Sequence, residues 1–258
     1  GESLLSGMGE LHLEIIENRI KEEKGLDVRT SNPIIVYRES VTQESPPTEG
    51  RSPNKHNSFF IKVEPLEDEV YEAMQKGDLS DGRVKKKSEE VTNVLSNLGW
   101  DGDEIKKVKH IYNGNMFLDE TKGEVYMQEV IGLILDSFES VMDSGPVARE
   151  PCMKVKVSLV DIKLHEDAIH RGPAQVYPAV REGIEDAMKN GNASLLEPIQ
   201  THVIEIPEQY MGGITKLVGS KRGQVLDVNQ DESGAEMKAK LPVSQMLGWS
   251  NDLRSETE

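Results

Sequence analysis

Met153-Lys154-Val155-Lys156-Val157-Ser158-Leu159-Val160-Asp161-Ile162-Lys163-Leu164 runs without a break into His165-Glu166-Asp167-Ala168-Ile169-His170-Arg171-Gly172. The alternation marks a strand over Cys152–Leu164. Met153, Val155, Val157 and Leu159 fall on one face, then Val160, Ile162 and Leu164 on the other. A period-two pattern that slips phase at Leu159-Val160 predicts a bulge or a strong twist there. Beyond the loop, Gln175–Asn190 reads as a helix with Val176, Val180, Ile184, Ala187 and Met188 inward and Asn190-Gly191 as its cap. Residues 164–172 are therefore a loop tip held between a strand and a helix. Two imidazoles, acidic groups, a guanidinium and the apolar Ile169 crowd into it.

Outward from this unit the pattern alternates. The Ser3–Ser6 stretch is strand-like, Gly7-Met8-Gly9 is a turn, and a helix follows over Glu10–Lys24 with Leu13, Ile16 and Ile20 on one face and Gly25 as its cap. Leu26–Thr30 reads as a strand, and Ser31-Asn32-Pro33 as a break before a strand at Ile34–Arg38. Pro46–Asn57 reads as a loop, Ser58–Val63 as a strand, and Leu66–Lys76 and Lys86–Leu98 as helices around a turn at 77–82. Lys106–Leu118 is mixed strand and loop, and Val125–Met142 is the clearest helix. The last third has a β-α-β-β-α order: a strand at Ile199–Ile206, a helix from Pro207 to Val218, strands at Gln224–Asn229 and Ala235–Leu241 joined by Asp231–Gly234, and a helix from Ser244 onward. That order is a split βαβ domain without its final strand. One helix and two strands at the other end enclose no core, so both termini are expected to cut through domains of a longer protein.

The composition is 36% apolar and 29% charged, with material for real cores. No apolar run reaches the roughly 18 residues that span a bilayer, and the N-terminus shows no basic, signal-like region. Cys152 is the only cysteine, which fits a reducing, cytoplasmic setting. A net charge of −16 argues against indiscriminate coating of nucleic acid. Two local stretches differ: Gly50–Lys62 holds Arg51, Lys55 and Lys62 without an acid, and Gln209–Leu226 holds Lys216, Lys221 and Arg222 without one. Small basic faces on an acidic body suit selective docking to RNA.

Chemistry at the tip has rivals. His165, Asp167 and His170 are plausible ligand types for a metal-dependent enzyme, but no second cluster flanks them and loop spacing alone sets no geometry. Hydrolysis lacks a neighbouring nucleophile. There is no GxxxxGK[ST] phosphate loop. Asn54-Lys55-His56-Asn57 differs from the guanine-reading NKxD motif because Asn57 stands where an aspartate would be.

The stretch LHEDAIHRG at 164–172 resembles the tip loop of the translation elongation factor 2 family. Ser6-Gly7-Met8-Gly9-Glu10-Leu11-His12-Leu13 is similar to the end of that family's third domain, and Ser52-Pro53-Asn54-Lys55-His56-Asn57 to a second loop at the tip of its fourth. Pro198-Ile199 onward, with Gly212-Gly213-Ile214, Lys221-Arg222-Gly223, Leu241-Pro242-Val243 and Leu253-Arg254-Ser255, resembles its fifth. The compact 66–118 region and Pro173-Ala174 resemble the archaeal branch. The resemblance implies an α+β, multidomain chain: a truncated, ferredoxin-like domain III over 1–32, a ribosomal-protein-S5-like domain IV over 33–197, and a ferredoxin-like domain V over 198–258. It implies a C-terminal part of a ribosomal translocase whose tip reaches the decoding centre and follows the tRNA–mRNA duplex. His170 would be the histidine converted to diphthamide and the target of ADP-ribosylating toxins. His165, Asp167, Ile169, Arg171, Asn54, Lys55 and His56 would contact ribosome or tRNA, with Arg171 pairing with phosphate, and Lys216, Lys221 and Arg222 would be candidate ribosomal RNA contacts. By this reading the chain catalyses nothing itself and holds no metal or cofactor. GTP and Mg belong to a separate N-terminal GTPase domain, the partners are the ribosome and the diphthamide-synthesis enzymes, and the protein is a cytoplasmic monomer with no membrane association.

Overall fold

The computed structural model describes every residue except 1–2, 8–9, 32, 86–87, 124, 232–233 and 258. Met8-Gly9 of the expected first turn, Asn32 of the break, Lys86 at the expected start of a helix and Glu232-Ser233 of the last hairpin thus lie outside the described residues. Two compact units are present, one over 37–196 and one formed by 1–36 with 197–258.

The first helix, α1, spans Glu10–Lys24 and is followed by Gly25 in the left-handed region at φ 62°. The strands expected at Ser3–Ser6 and Leu26–Thr30 do not form. A strand exists only as one side of a ladder, and neither segment has a partner among the described residues. The strand expected at Ile34–Arg38 begins later, as β1, Arg38–Val41.

In the unit over 37–196, β2 (Thr48–Arg51) and β3 (Ser58–Pro65) form a hairpin. Then come α2 (Asp68–Lys76), the short β4 (Gly82–Arg83), α3 (Glu89–Asn97) and α4 (Gly102–Lys107). The chain continues through β5 (Val108–Tyr112), β6 (Asn115–Asp119), α5 (Met127–Asp143), β7 (Val155–Lys163), α6 (Pro173–Asn190) and β8 (Ala193–Leu196). The six-stranded sheet has the order β2-β3-β7-β6-β5-β4. Its β6–β7 pair is parallel, and α5 makes the crossover. β8 pairs with β1 in a separate ladder.

Two cores form on opposite faces of this sheet. Phe59, Ile61, Val157, Leu159 and Phe117 pack with Ile134, Phe138 and Val141 of α5 and Val176, Val180 and Ile184 of α6. Met116 and Leu118, which flank Phe117 on β6, face the other way into a cluster with Val70, Leu79, Leu95 and Ile105. The inward face expected for α6 is the one observed.

The phase slip in β7 is a bulge. Phe60 pairs with Asp161 and Ile61 with Leu159, so Val160 has no opposite residue. Its consequence differs from the expected change of face. The extra residue absorbs the slip, and Ile162 and Leu164 rejoin the same core as Val155, Val157 and Leu159. The segment expected as a loop over Pro46–Asn57 contains β2. Pro46-Pro47 immediately precedes an edge strand, where a missing N–H costs no ladder bond.

In the other unit, β9 (Ile199–Ile206), α7 (Met211–Ser220), β10 (Gln224–Asp231), β11 (Gly234–Pro242) and α8 (Trp249–Thr257) follow the expected β-α-β-β-α order. The antiparallel sheet has the order β10-β11-β9. Ile204, Ile206, Ile214, Val218, Met237 and Leu241 make its core. No helix among the described residues is long and apolar enough to cross a membrane.

Candidate functional site

Two loops meet beyond the β3–β7 ladder. Between β2 and β3, Ser52 and Asn57 close a tight turn: the Ser52 N–H donates to the Asn57 carbonyl at 2.9 Å and the Lys55 N–H to the Ser52 carbonyl at 2.7 Å. Lys55 sits in the left-handed region at φ 62° and is exposed beside the exposed His56. Between β7 and α6, Ala168–His170 forms a single 3-10 turn, capped by the Asp167 carboxylate accepting from the Ile169 N–H at 3.1 Å. The His165 Nδ1 accepts from the Asp167 N–H at 3.0 Å, so the proton of its neutral form lies on Nε2.

The loops are joined by amides. Asn57 Oδ1 accepts from the His165 N–H at 3.0 Å, and its Nδ2 donates to the His170 carbonyl at 2.7 Å. Asn54 Nδ2 also donates to that carbonyl at 3.2 Å, while the Asn54 N–H donates to Gln175 Oε1 at 2.9 Å. The result brings three imidazoles into mutual contact. The ring centroids lie 4.8 Å apart for His56–His165, 4.9 Å for His56–His170 and 4.5 Å for His165–His170. Ile169, which precedes His170 in the chain, is 77% exposed.

Arg171 departs from expectation. It is 4% exposed, and its guanidinium donates to the carbonyls of His165 and Glu166 and to Glu129 of α5. It also lies 4.0 Å from the Tyr126 ring centroid. A guanidinium surrounded in this way braces the loop from inside and does not present itself to a phosphate. Asp167 is likewise engaged in capping. Of the eight residues singled out at the tip, His56, His165 and His170 come together, Lys55 and Ile169 are exposed on the same two loops, Asp167 caps the 3-10 turn, and Asn54 and Arg171 brace the loops. Asn57, Ser52, Gln175, Glu129 and Tyr126 were not anticipated. Asn57 and Ser52 lay within the loop similar to the family's second tip loop, but no sequence signal separated them from their neighbours as the residues that join the two loops.

A metal-dependent reading finds no geometry: among the described residues no group of three or more His, Cys, Asp or Glu is placed to hold a metal ion. Burial, with Glu39 and Asp143 nearby, pushes the Cys152 thiol up to about 12, which removes it as a nucleophile.

The second basic stretch is divided. Arg222 forks onto Glu197 at 2.7 and 2.9 Å, and that hydrogen bonding holds the Glu197 carboxyl below its usual range against a smaller effect of burial. Lys221 pairs with Asp252 at 2.6 Å. Lys216 is exposed on α7.

Three family profiles match the chain in order: Elongation Factor G, domain III, over residues 1–32; Elongation factor G, domain IV, over 79–192; and Elongation factor G C-terminus over 194–258. Mixed α/β modules in this sequence are those of a translation elongation factor. The chain is 49% identical to Elongation factor 2 of Nanoarchaeum equitans, 48% to that of Pyrococcus horikoshii and 49% to that of Thermococcus sibiricus, in each case over 100% of its own length. It belongs to the elongation factor G and elongation factor 2 family. It spans 35% of the length of these curated relatives.

Proposed function

We propose that the tip formed by residues 164–172 and 52–57 enters the ribosomal decoding centre and follows the tRNA–mRNA duplex during translocation, and that His170 is the residue converted to diphthamide. The observation that carries this reading is the mutual contact of three imidazoles where two internally braced loops meet, with Lys55 and Ile169 exposed on those same loops. Imidazole edges and a lysine suit phosphate and ribose oxygens, and the rings and Ile169 suit stacking on unpaired or helical nucleotides. Arg171 is withdrawn from the contacting set, and Lys216 is retained as the ribosomal RNA contact of the C-terminal unit ahead of the ion-paired Lys221 and Arg222. The proposed boundaries are a part of domain III over 1–32, domain IV over 33–197 and domain V over 198–258. The protein works as a cytoplasmic monomer. The chain supplies no catalytic group of its own, and GTP and Mg are bound by a separate GTPase domain of the protein. Its partners are the ribosome and the enzymes that modify His170.

Peptide mass spectrometry across Leu164–Arg171 on protein from its native source tests the reading. A mass addition localised to His170 is the expected result, and an unmodified His170 counts against the assignment. Ribosome binding supplies a second test. Contacts with about three phosphates give a log–log salt slope of roughly −2 to −3, and a salt-independent affinity would remove the RNA-contacting role.

A further inference from the structure

Asn57 and Asn115 are both wholly buried, and they lie at opposite ends of β7. Asn115 anchors the base. Its Nδ2 donates to the carbonyls of Tyr112, Asn113 and Cys152, and its Oδ1 accepts from the Val155 N–H. Asn57 stands at the tip end. Its Oδ1 takes the N–H of His165, and its Nδ2 reaches the carbonyl of His170 and, at 3.2 Å, the hydroxyl of Ser52. That hydroxyl also accepts the Asn57 N–H at 2.9 Å and donates to Asn54 Oδ1 at 2.6 Å. Asn54 Oδ1 in turn accepts the N–H of His56 at 3.0 Å. One side-chain amide therefore spans both ends of the 165–170 loop, and one relay ties it to the third histidine. Its orientation is determined by its partners. Turning it over would set an oxygen against the His170 carbonyl and an NH2 against the His165 N–H, two buried mismatches.

We infer that Asn57 is a positioning residue for the tip: its buried amide sets the His165 and His170 backbones at the separation that lets both imidazoles close onto His56. The inference depends on the ribosomal reading only for its consequence, not for its geometry. Asn57→Asp keeps size and shape and leaves the acceptor for His165, but places a carboxylate oxygen against the His170 carbonyl. The loop must open there, and the three-ring contact must loosen. Asn115→Asp sets the same conflict at the base of the strand and serves as the control for lost stability alone.

Imidazole 1H–13C spectra of His56, His165 and His170 are recorded on the folded chain, and ribosome binding is measured in parallel. The expected result is displacement of all three imidazole signals in N57D with none in N115D, and a fall in ribosome affinity as large as that caused by His165→Ala. Signals unmoved in N57D, or moved equally in N115D, overturn the inference. Signals moved without loss of ribosome binding uphold the positioning role and sink the ribosomal reading instead. Should N57D fail to fold, Ser52→Ala removes the hydroxyl at the centre of the relay, and its effect on the same three signals is judged by the same criteria.

Discussion

Arg171 braces the tip by gathering two carbonyls of its own loop, the Glu129 carboxylate and the face of Tyr126 around one guanidinium. Hydrogen bonds to a buried charge contribute more than neutral ones, and deleting the charge leaves its acceptors unpaired. Arg171→Ala is expected to lower stability by about 2–4 kcal/mol in urea titration. Glu129 is half-exposed, so Glu129→Gln should cost under about 1 kcal/mol. Equal effects from the two would show that the carbonyl contacts matter little. Nothing in the sequence placed this guanidinium inside, because an arginine in a polar loop is ordinarily solvated. Cys152 makes the opposite case, since its burial is the usual fate of a lone cysteine. With its thiol pushed up from 9.0 to about 12, it should resist alkylation at neutral pH until the chain unfolds. The folded state holds this proton more tightly than the unfolded one, so the associated stability is intact below pH 9 and declines as pH climbs toward 12.

At the scale of elements, the contact between β2 and α6 turns on two glycines. A Cβ on Gly50 would overlap the Ala179 carbonyl oxygen, well inside van der Waals contact distance, and would lie 3.0 Å from the Gly183 Cα. Both neighbours are helix backbone, so neither can rotate away. Gly50→Ala should destabilise the unit by about 1–3 kcal/mol, measured by chemical denaturation. A loss near zero would mean that β2 shifts freely along α6. In the sheet of β9, β10 and β11, His202 carries a buried Nε2 with no hydrogen-bond partner among the described residues. Burial lowers its pKa from 6.5. Below pH 6.5 the unfolded chain takes up a proton that the folded unit refuses, so stability falls as pH drops through that window. His202→Phe removes the titration, and its melting temperature should decline less steeply below pH 6.5 than that of the parent. Parallel curves would show that His202 makes no contribution. The patterns of α5, α6, β3 and β9 were readable because their apolar residues repeat at the period of the element. β2 and β8 were not, since each is four residues long and is created by its partner strand.

Across the whole molecule, the two cores of residues 37–196 share one sheet, whereas residues 197–258 enclose a third around their own sheet. A core complete within one segment predicts autonomous folding. Residues 37–196 made alone should melt in a single cooperative transition by calorimetry, and a broad, non-cooperative melt would contradict this.

Sequence by itself determined the long helices, the bulge in β7, the β-α-β-β-α order of the last third and the crowding of histidines at residues 165 and 170. Periodicity, chain order and local composition carry that information without reference to distant residues. Only the tertiary structure decided that His56 closes the ring cluster, that Arg171 lies inside, and that Asn57 joins the loops. The Asn57–His170 hydrogen bond links positions separated by 113 residues. Such a contact comes into being when β3 and β7 pair side by side, and no local pattern encodes the meeting of two loops that this pairing brings together.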